Sequence, residues 1–157
     1  MEGTAPLNGL WQRDGYSVST DAARLNLDVI HGYLSGQSYW ARNIPRDTVR
    51  RAIAGSLCFG LYHDASGEQI GFARVVSDRA TFAYLADVFV LDAHRGRGLS
   101  KWLMHVIIAH PDLQGLRRWM LGTADAHGLY TQYGFKPLAN PARFMERHFP
   151  DVYGSAP

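Results

Sequence analysis

The run Arg95-Gly96-Arg97-Gly98-Leu99-Ser100 has the residue types of a phosphate-binding turn. It follows an apolar segment over 84–90 with the character of a strand, and it opens a segment over 99–110 with helical periodicity. A glycine-rich turn between a strand and a helix exposes backbone N–H groups at the positive end of the helix, where phosphate oxygens bind. The run therefore predicts a ligand that carries a diphosphate, and a plain structural turn fits the same residues equally well.

The run differs from the two commonest nucleotide-binding motifs. It lacks the Lys-Ser/Thr ending of a P-loop, so nucleotide hydrolysis is not supported. It also lacks the third glycine and the following acidic residue of a dinucleotide-binding fingerprint. Arg-Gly repeats occur in RNA-binding low-complexity segments as well, but the hydrophobic periodicity on both sides of this run argues against that interpretation.

Composition narrows the class of protein. The chain has 157 residues, of which 46% are hydrophobic and 19% charged, as expected of one globular domain. A net charge of +2 is too small for a nucleic-acid-binding surface, and no apolar stretch approaches the roughly 20 residues of a membrane span. The N-terminus lacks the features of a signal peptide. Cys58 is the only cysteine and lies in an apolar run, so we predict a buried thiol, no intrachain disulfide and a cytoplasmic location.

The apolar pattern predicts the helices and strands on both sides of the glycine run. Helices are predicted over 20–34, 46–54, 99–110 and 124–133, and strands over 16–19, 57–63, 69–77, 80–90, 117–122, 135–138 and 143–146. Short turns indicate an antiparallel meander over 57–90, whereas strand, helix, strand over 84–122 requires one parallel crossover. We expect a single α/β domain over 1–157, with a mixed, mostly antiparallel sheet, about four flanking helices, and loose termini over 1–13 and 152–157.

A second motif lies about thirty residues after the glycine run. With it, the chain resembles the GCN5-related N-acetyltransferase (GNAT) superfamily over about residues 16–147. The family's cofactor pattern, Gln/Arg-x-x-Gly-x-Gly/Ala, is occupied by Arg95, Gly98 and Ser100. Its later pattern, Ala-x-x-Leu-Tyr-x-x-x-Gly-Phe, is matched by Ala126, Leu129, Tyr130, Gly134 and Phe135. The chain departs from the family at Ser100 and at Thr123, where an asparagine is common.

The resemblance implies that acetyl-CoA is the co-substrate and that no metal takes part. GNAT enzymes bind acetyl-CoA where two parallel strands splay apart. By this resemblance, the backbone groups of Val88 and Val90 pair with the pantetheine arm, and the N–H groups of Arg95–Ser100 hold the diphosphate. Thr123 and His127 are also expected beside the cofactor, although the change from asparagine weakens a side-chain contact at Thr123.

Tyr130 matches the position of the family's usual general acid, which protonates the leaving thiolate; a buried tyrosine with a satisfied hydroxyl is the structural alternative. Asp87 is a charge in the apolar strand Ala86-Asp87-Val88 and requires a reason. It either deprotonates the acceptor through water, holds the acceptor's cation, or bonds to a neighbouring strand or loop. His127 shares a helical face with Tyr130 and suits either a base or a hydrogen-bonded supporting residue.

The acceptor side is the more open half of the prediction. We expect it between the two N-terminal helices and the closing strands, with Ser38-Tyr39-Trp40-Ala41-Arg42 as a candidate wall; simple packing of Tyr39 and Trp40 fits equally well. The leading hypothesis is transfer of an acetyl group to a primary amine of a small molecule. The alternatives are a protein N-terminal or lysine acetyltransferase and a non-catalytic acyl-CoA-binding module. A homodimer is common in families that resemble this one.

Overall fold

The structure is a computed structural model, and it describes residues 9–154. Within this range the sheet has six strands: β1 (Leu10–Arg13), β2 (Tyr16–Ser19), β3 (Leu57–His63), β4 (Gln69–Ser77), β5 (Phe82–Val90) and β6 (Arg118–Met120). The α-helices of the described residues are α1 (Leu27–Gly36), α2 (Arg46–Ala54), α3 (Leu99–Ala109) and α4 (His127–Thr131). The predicted α/β fold is confirmed.

The strands lie in chain order across the sheet. Neighbours from β1 to β5 pair antiparallel, and β6 pairs parallel to β5 after the crossover through α3. One hydrophobic cluster lies between the sheet and α3, with Phe59, Leu103 and Ile107 fully buried. A second cluster lies between the opposite face and the two N-terminal helices, with Ile30, Leu34 and Phe72 at its centre. Because successive strand residues face opposite sides, Cys58 and Phe59 belong to different clusters.

The beginning of α1 differs from the prediction. Asp21 caps a short 3-10 turn over Ala22–Arg24, and α1 itself begins after Asn26, whose side chain accepts a hydrogen bond from the backbone N–H of Val29. The predicted helix over 20–34 is therefore two elements. Each element has its own capping side chain, Asp21 or Asn26. Leu25, whose backbone is extended, separates the two elements.

The ends of the chain also require correction. Leu10–Arg13 was expected to be loose but forms β1, because the Asp14-Gly15 turn folds it back onto β2. The predicted closing strands over 135–138 and 143–146 are absent from the described residues, since Pro137 cannot donate to a ladder and the 3-10 turn Pro141–Arg143 takes the first residue of the second strand. Tyr153, expected in a loose tail, packs against the second cluster. Residues 1–8 and 155–157, also predicted to be loose, lie outside the described residues.

The pairing of β5 with β6 is short. It covers only Phe82 to Tyr84 on β5, opposite Arg118 to Met120. From Leu85 onward β5 continues to Val90 while β6 has ended, so the two chains separate. The predicted parallel junction is therefore a splayed one, and a cleft opens beside the second half of β5.

Candidate active site

A cavity of about 790 Å³ occupies the splay between β5 and α4, and we call it the main cleft. Its floor is the end of β5, Val88 to Val90, and its far wall includes Tyr130 on α4. The N–H of Leu91 donates to the Ile70 carbonyl on β4 (2.8 Å). Because backbone groups alternate along a strand, those of Val90 face away from β4 and toward the cleft, which Val88 also lines.

The glycine run forms one end of the main cleft. Gly96 and Gly98 have φ of 79° and 73°, and Gly98 is the residue from which α3 begins. These left-handed conformations explain the two glycines, because a side chain there would strain the backbone. Within the described residues, the backbone N–H groups from Gly96 to Lys101 donate to no protein acceptor. They are therefore available to an anion at the positive end of α3.

The members of this run do not share one environment. Arg95, Gly96, Gly98, Leu99 and Ser100 line the main cleft together with Lys101, whereas Arg97 lines a small surface pocket beside Arg13 and Tyr16. The Arg95 guanidinium is held in three directions. Nε donates to the Val90 carbonyl (2.9 Å), Nη2 donates to the Tyr33 hydroxyl (3.1 Å), and Nη1 lies 2.6 Å from Asp92 Oδ1. Arg95 thus ties the turn to β5 and α1.

Tyr130 stands where three cavities meet. Its side chain is 8% exposed and lines the main cleft and two smaller cavities. Burial raises the pKa of Tyr130 to about 12, and the nearby Tyr39 and Asp125 act in the same direction. The phenol therefore stays protonated at neutral pH and can donate a hydrogen bond into the cleft.

Asp87 lies at a β-bulge beside the cleft. Between the aligned pairs Phe72–Phe89 and Arg74–Ala86, β5 has two residues where β4 has one, and Asp87 adopts a φ of 56°. Its Oδ2 accepts from Arg74 Nε (2.8 Å), and its Oδ1 accepts from Trp40 Nε1 (2.9 Å). The carboxylate thus bonds to both a neighbouring strand and a loop, which was one of the alternatives for this residue.

The loop between α1 and α2 carries Tyr39 and Trp40 to the cleft. The Tyr39 hydroxyl accepts from the backbone N–H of Ala124 (2.8 Å), and Trp40 reaches Asp87. Both rings remain about half exposed, at 52% and 41%. Tyr39 and Trp40 therefore form a wall rather than core, whereas Arg42 of the same loop is exposed and lines none of these cavities.

Similarity to known proteins points to one family. The model of the acetyltransferase (GNAT) domain matches residues 54–137, more than half of the chain. The chain is 37% identical to "Putative acetyltransferase FG08082" of Gibberella zeae, over 81% of each protein. A crystal structure of a protein belonging to the GNAT family, from Xanthomonas campestris pv. campestris, is 55% identical with a TM-score of 0.87, covering 92% of this chain and 100% of its own. The chain belongs to the GNAT acetyltransferase family.

This GNAT protein is thus an acyltransferase by family. A GNAT family acetyltransferase from Elizabethkingia anophelis with acetyl-CoA bound shares the fold at a TM-score of 0.59 and 14% identity, over 79% of this chain and 78% of that one. Over residues 9–154, no helix is long and apolar enough to cross a membrane. The same residues contain no cluster of three or more His, Cys, Asp or Glu side chains suited to a metal ion.

Thr123 and His127 do not line the main cleft but lie beside it, in a neighbouring cavity that also includes Tyr130. The Thr123 hydroxyl accepts from the backbone N–H of Ala126 (3.0 Å) and so caps the turn before α4. His127 lines a separate cavity of about 240 Å³ between β6 and Phe135–Leu138, which it shares with Tyr130. His127 and Tyr130 do share a helical face, as predicted, but the roles of Thr123 and His127 toward a cofactor stay predictions.

One residue of the site escaped the sequence analysis. Tyr33 on α1 stacks on Phe89 with ring centroids 4.1 Å apart, and its hydroxyl accepts from Arg95. From the sequence it was only one member of a helical apolar face. Its partner lies 62 positions away, and no local spacing signals such a contact.

Proposed function

We propose that this GNAT protein transfers the acetyl group of acetyl-CoA to a primary amine of a small molecule by direct attack. The main support for the proposal is that three features line one cavity of about 790 Å³, the main cleft. They are the end of β5, the backbone amides of the glycine turn and the protonated phenol of Tyr130. These groups are the complements of an amide-bearing arm, a diphosphate and a leaving thiolate.

The residues of the cleft fit acetyl-CoA in character. Val88 and the N–H of Val90 offer backbone groups along the edge of β5 beyond β6, while the Val90 carbonyl already accepts from Arg95, and the amides from Gly96 to Ser100 offer donors to the diphosphate. Lys101 in the first turn of α3 adds positive charge at the same end. When bound, acetyl-CoA supplies an acyl group activated as a thioester.

We propose Tyr130 as the group that donates to the leaving sulfur. Its raised pKa keeps the proton on the phenol, but it also makes complete transfer to a thiolate, with a conjugate acid near 8.5, unfavourable at equilibrium. We therefore assign Tyr130 a hydrogen bond that strengthens as negative charge develops on sulfur, with solvent restoring the proton balance.

We place the acceptor beside Asp87. A pocket of about 160 Å³, here called the bulge pocket, is lined there by Tyr84, Asp87, Val88 and Tyr130 among others. It adjoins both the free edge of β5 and the phenol. We assign Asp87 to holding the acceptor's ammonium, and the proton that must leave the amine passes to solvent. The cytoplasm is the proposed location.

A direct assay tests the proposed function. The purified protein is incubated with acetyl-CoA and a panel of primary amines, and free thiol is followed with a chromogenic disulfide while acetyl-CoA binding is measured by calorimetry. The proposal predicts amine-dependent thiol release with at least one small amine. Tight binding without release for any small amine favours an acyl-CoA-binding module, and release only with peptides or proteins favours protein acetylation.

A further inference from the structure

A further cavity lies behind Asp87, on the side of the two N-terminal helices, and we call it the rear cavity. Its volume is about 270 Å³, and its walls are largely apolar, including Leu34, Ile44, Val49 and Phe72. Among the described residues that line it, only Arg74 and Asp87 carry charge. Because Asp87 lines both the rear cavity and the bulge pocket, a ligand in the rear cavity lies next to the reaction centre of the proposed function.

The two charges form a largely buried ion pair, and one nitrogen of the guanidinium is left without an acceptor among the residues that the structure describes. The side chains of Arg74 and Asp87 are 20% and 11% exposed. Arg74 Nε donates to Asp87 and Nη1 donates to Ser56 Oγ (3.2 Å). Within the described residues, Arg74 Nη2 has no acceptor. A guanidinium offers its donors as a fork that matches a carboxylate, so Arg74 can take a second carboxylate beside Asp87.

The Arg74–Asp87 ion pair favours an acceptor that carries both a positive and a negative charge. An amine with no other charge attracts Asp87 away from Arg74 and leaves the guanidinium poorly neutralised in an apolar cavity, which is unfavourable. An acceptor with a carboxylate next to its ammonium neutralises both side chains at once. Since Nε and Oδ2 are only 2.8 Å apart, the two charges of the acceptor must be close together as well.

We infer, on the basis of the proposed function, that the acceptor is an α-amino acid with an apolar side chain. Its ammonium lies at Asp87, its carboxylate lies on the guanidinium of Arg74, and its side chain enters the apolar part of the rear cavity. An amine on a long flexible chain, such as a lysine side chain, does not place a carboxylate within reach of Arg74.

The reaction balances with no further reactant. The ammonium releases one proton to solvent, the amine nitrogen forms a bond to the acetyl carbonyl carbon, and the bond from that carbon to sulfur breaks. The nitrogen then loses a second proton and the thiolate gains one. The products are an N-acetylamino acid, free CoA thiol and one released proton, and the carboxylate is unchanged.

A matched substrate series tests the inference on the unmodified protein. Thiol release is measured with L-leucine and L-phenylalanine, with their α-amides, and with the amines that lack the carboxylate, 3-methylbutylamine and 2-phenylethylamine. We expect kcat/KM for the amino acids to exceed that for their amides and amines by roughly 10-fold or more, the usual effect of a hydrogen bond to a charged group. Equal or higher values for the amines overturn the inference and leave the proposed function intact. No turnover with any acceptor, while acetyl-CoA still binds, contradicts both.

A pair of arginine variants locates the effect. Arg74→Gln is expected to remove the preference for amino acids over amines, while Arg79→Gln is expected to keep it. Arg79 is a matched control because it lies just after β4 in an exposed ion pair with Asp112 and lines none of these cavities. Retained preference in a folded Arg74→Gln variant, as judged by thermal unfolding, overturns the assignment to Arg74. If that variant does not fold, the substrate series on the unmodified protein still decides.

Discussion

Asp87 combines an unusual backbone conformation, a φ of 56°, with the role proposed for its carboxylate in holding the acceptor. A positive φ in a non-glycine residue is uncommon and is best tolerated by Asn and Asp. Here it occurs at a bulge beside the cleft, where the carboxylate bonds to β4 and to the loop between α1 and α2. The strain is held in place by these bonds, which is the usual situation at a functional site.

Removal of the Tyr130 hydroxyl tests its assigned role. We expect Tyr130→Phe to lower kcat roughly 100-fold, the usual effect of losing a hydrogen bond to charge that develops in the transition state, with little change in acetyl-CoA affinity. The matched control is Tyr133→Phe, because the Tyr133 hydroxyl donates to the Lys101 carbonyl (2.8 Å) and this residue lines none of the cavities. Steady-state kinetics with saturating acceptor make the comparison, and an unchanged kcat for Tyr130→Phe refutes the role.

Site residues that belong to short sequence motifs could be predicted, whereas those defined by tertiary contacts could not. Gly98 and Tyr130 stand in short motifs, and the structure places both on the main cleft. Arg97 belongs to the same motif but lies at a different surface pocket, because adjacent residues in a turn point in different directions. Tyr33 and the Arg74–Asp87 pair are tertiary contacts, so no spacing in the sequence could predict them.

At the scale of elements, the long periodic segments were predicted best. α2, β3 and β4 have the predicted bounds, and α3 ends one residue early. β1 was missed because its sequence, Leu-Trp-Gln-Arg, does not alternate between apolar and polar residues as that of β2 does. The predicted closing strands did not form, because Pro137 lies inside the first of them and Pro141 starts a 3-10 turn that includes the first residue of the second, Arg143.

The cap of α1 supplies a stability prediction at this scale. Asn26→Ala removes the hydrogen bond to the N–H of Val29, so we expect a loss of about 1 kcal/mol in the free energy of unfolding. The matched control is Asn140→Ala, because Asn140 precedes a 3-10 turn without a capping bond from its side chain. Urea denaturation measures both, and an equal loss in the two variants contradicts the assigned cap.

At the scale of the whole molecule, three buried groups make stability sensitive to alkaline pH. Burial raises the pKa of Cys58, Tyr62 and Tyr130 to about 12, from ordinary values of 9.0 for the thiol and 10.0 for the phenols. The unfolded chain therefore loses these protons first. We expect the free energy of unfolding to fall as pH rises from 9 toward 12, measured by urea denaturation across that range.

Tyr62 allows a sharper form of this prediction. Its hydroxyl is buried and has no hydrogen-bond partner among the described residues. We expect Tyr62→Phe to be at least as stable as the natural chain at pH 7 and to lose less stability above pH 10, since one ionisable group is gone. A steeper alkaline loss in Tyr62→Phe contradicts this account.

His110 is expected to make the free energy of unfolding depend on pH in the acidic range. Burial lowers its pKa below the ordinary 6.5, and its Nδ1 accepts from the backbone N–H of Asp112. The unfolded chain binds the proton first as pH falls, so stability is expected to decline below about pH 6.5. Replacement by Asn should reduce this decline in urea denaturation, and an unchanged pH dependence of unfolding argues against His110 as its source.

If the glycine turn holds the diphosphate of acetyl-CoA, a carboxylate placed in that turn must weaken binding, and calorimetry on two variants measures the effect. Gly98→Asp places a carboxylate at the turn, and Gly67→Asp places one in the distant hairpin between β3 and β4. The two glycines have nearly the same φ, 73° and 72°, and an added Cβ meets nothing within 4 Å at either position. We predict that acetyl-CoA binds roughly 10-fold or more weakly to Gly98→Asp, through like-charge repulsion, and with unchanged affinity to Gly67→Asp. Unchanged affinity in Gly98→Asp would contradict the account.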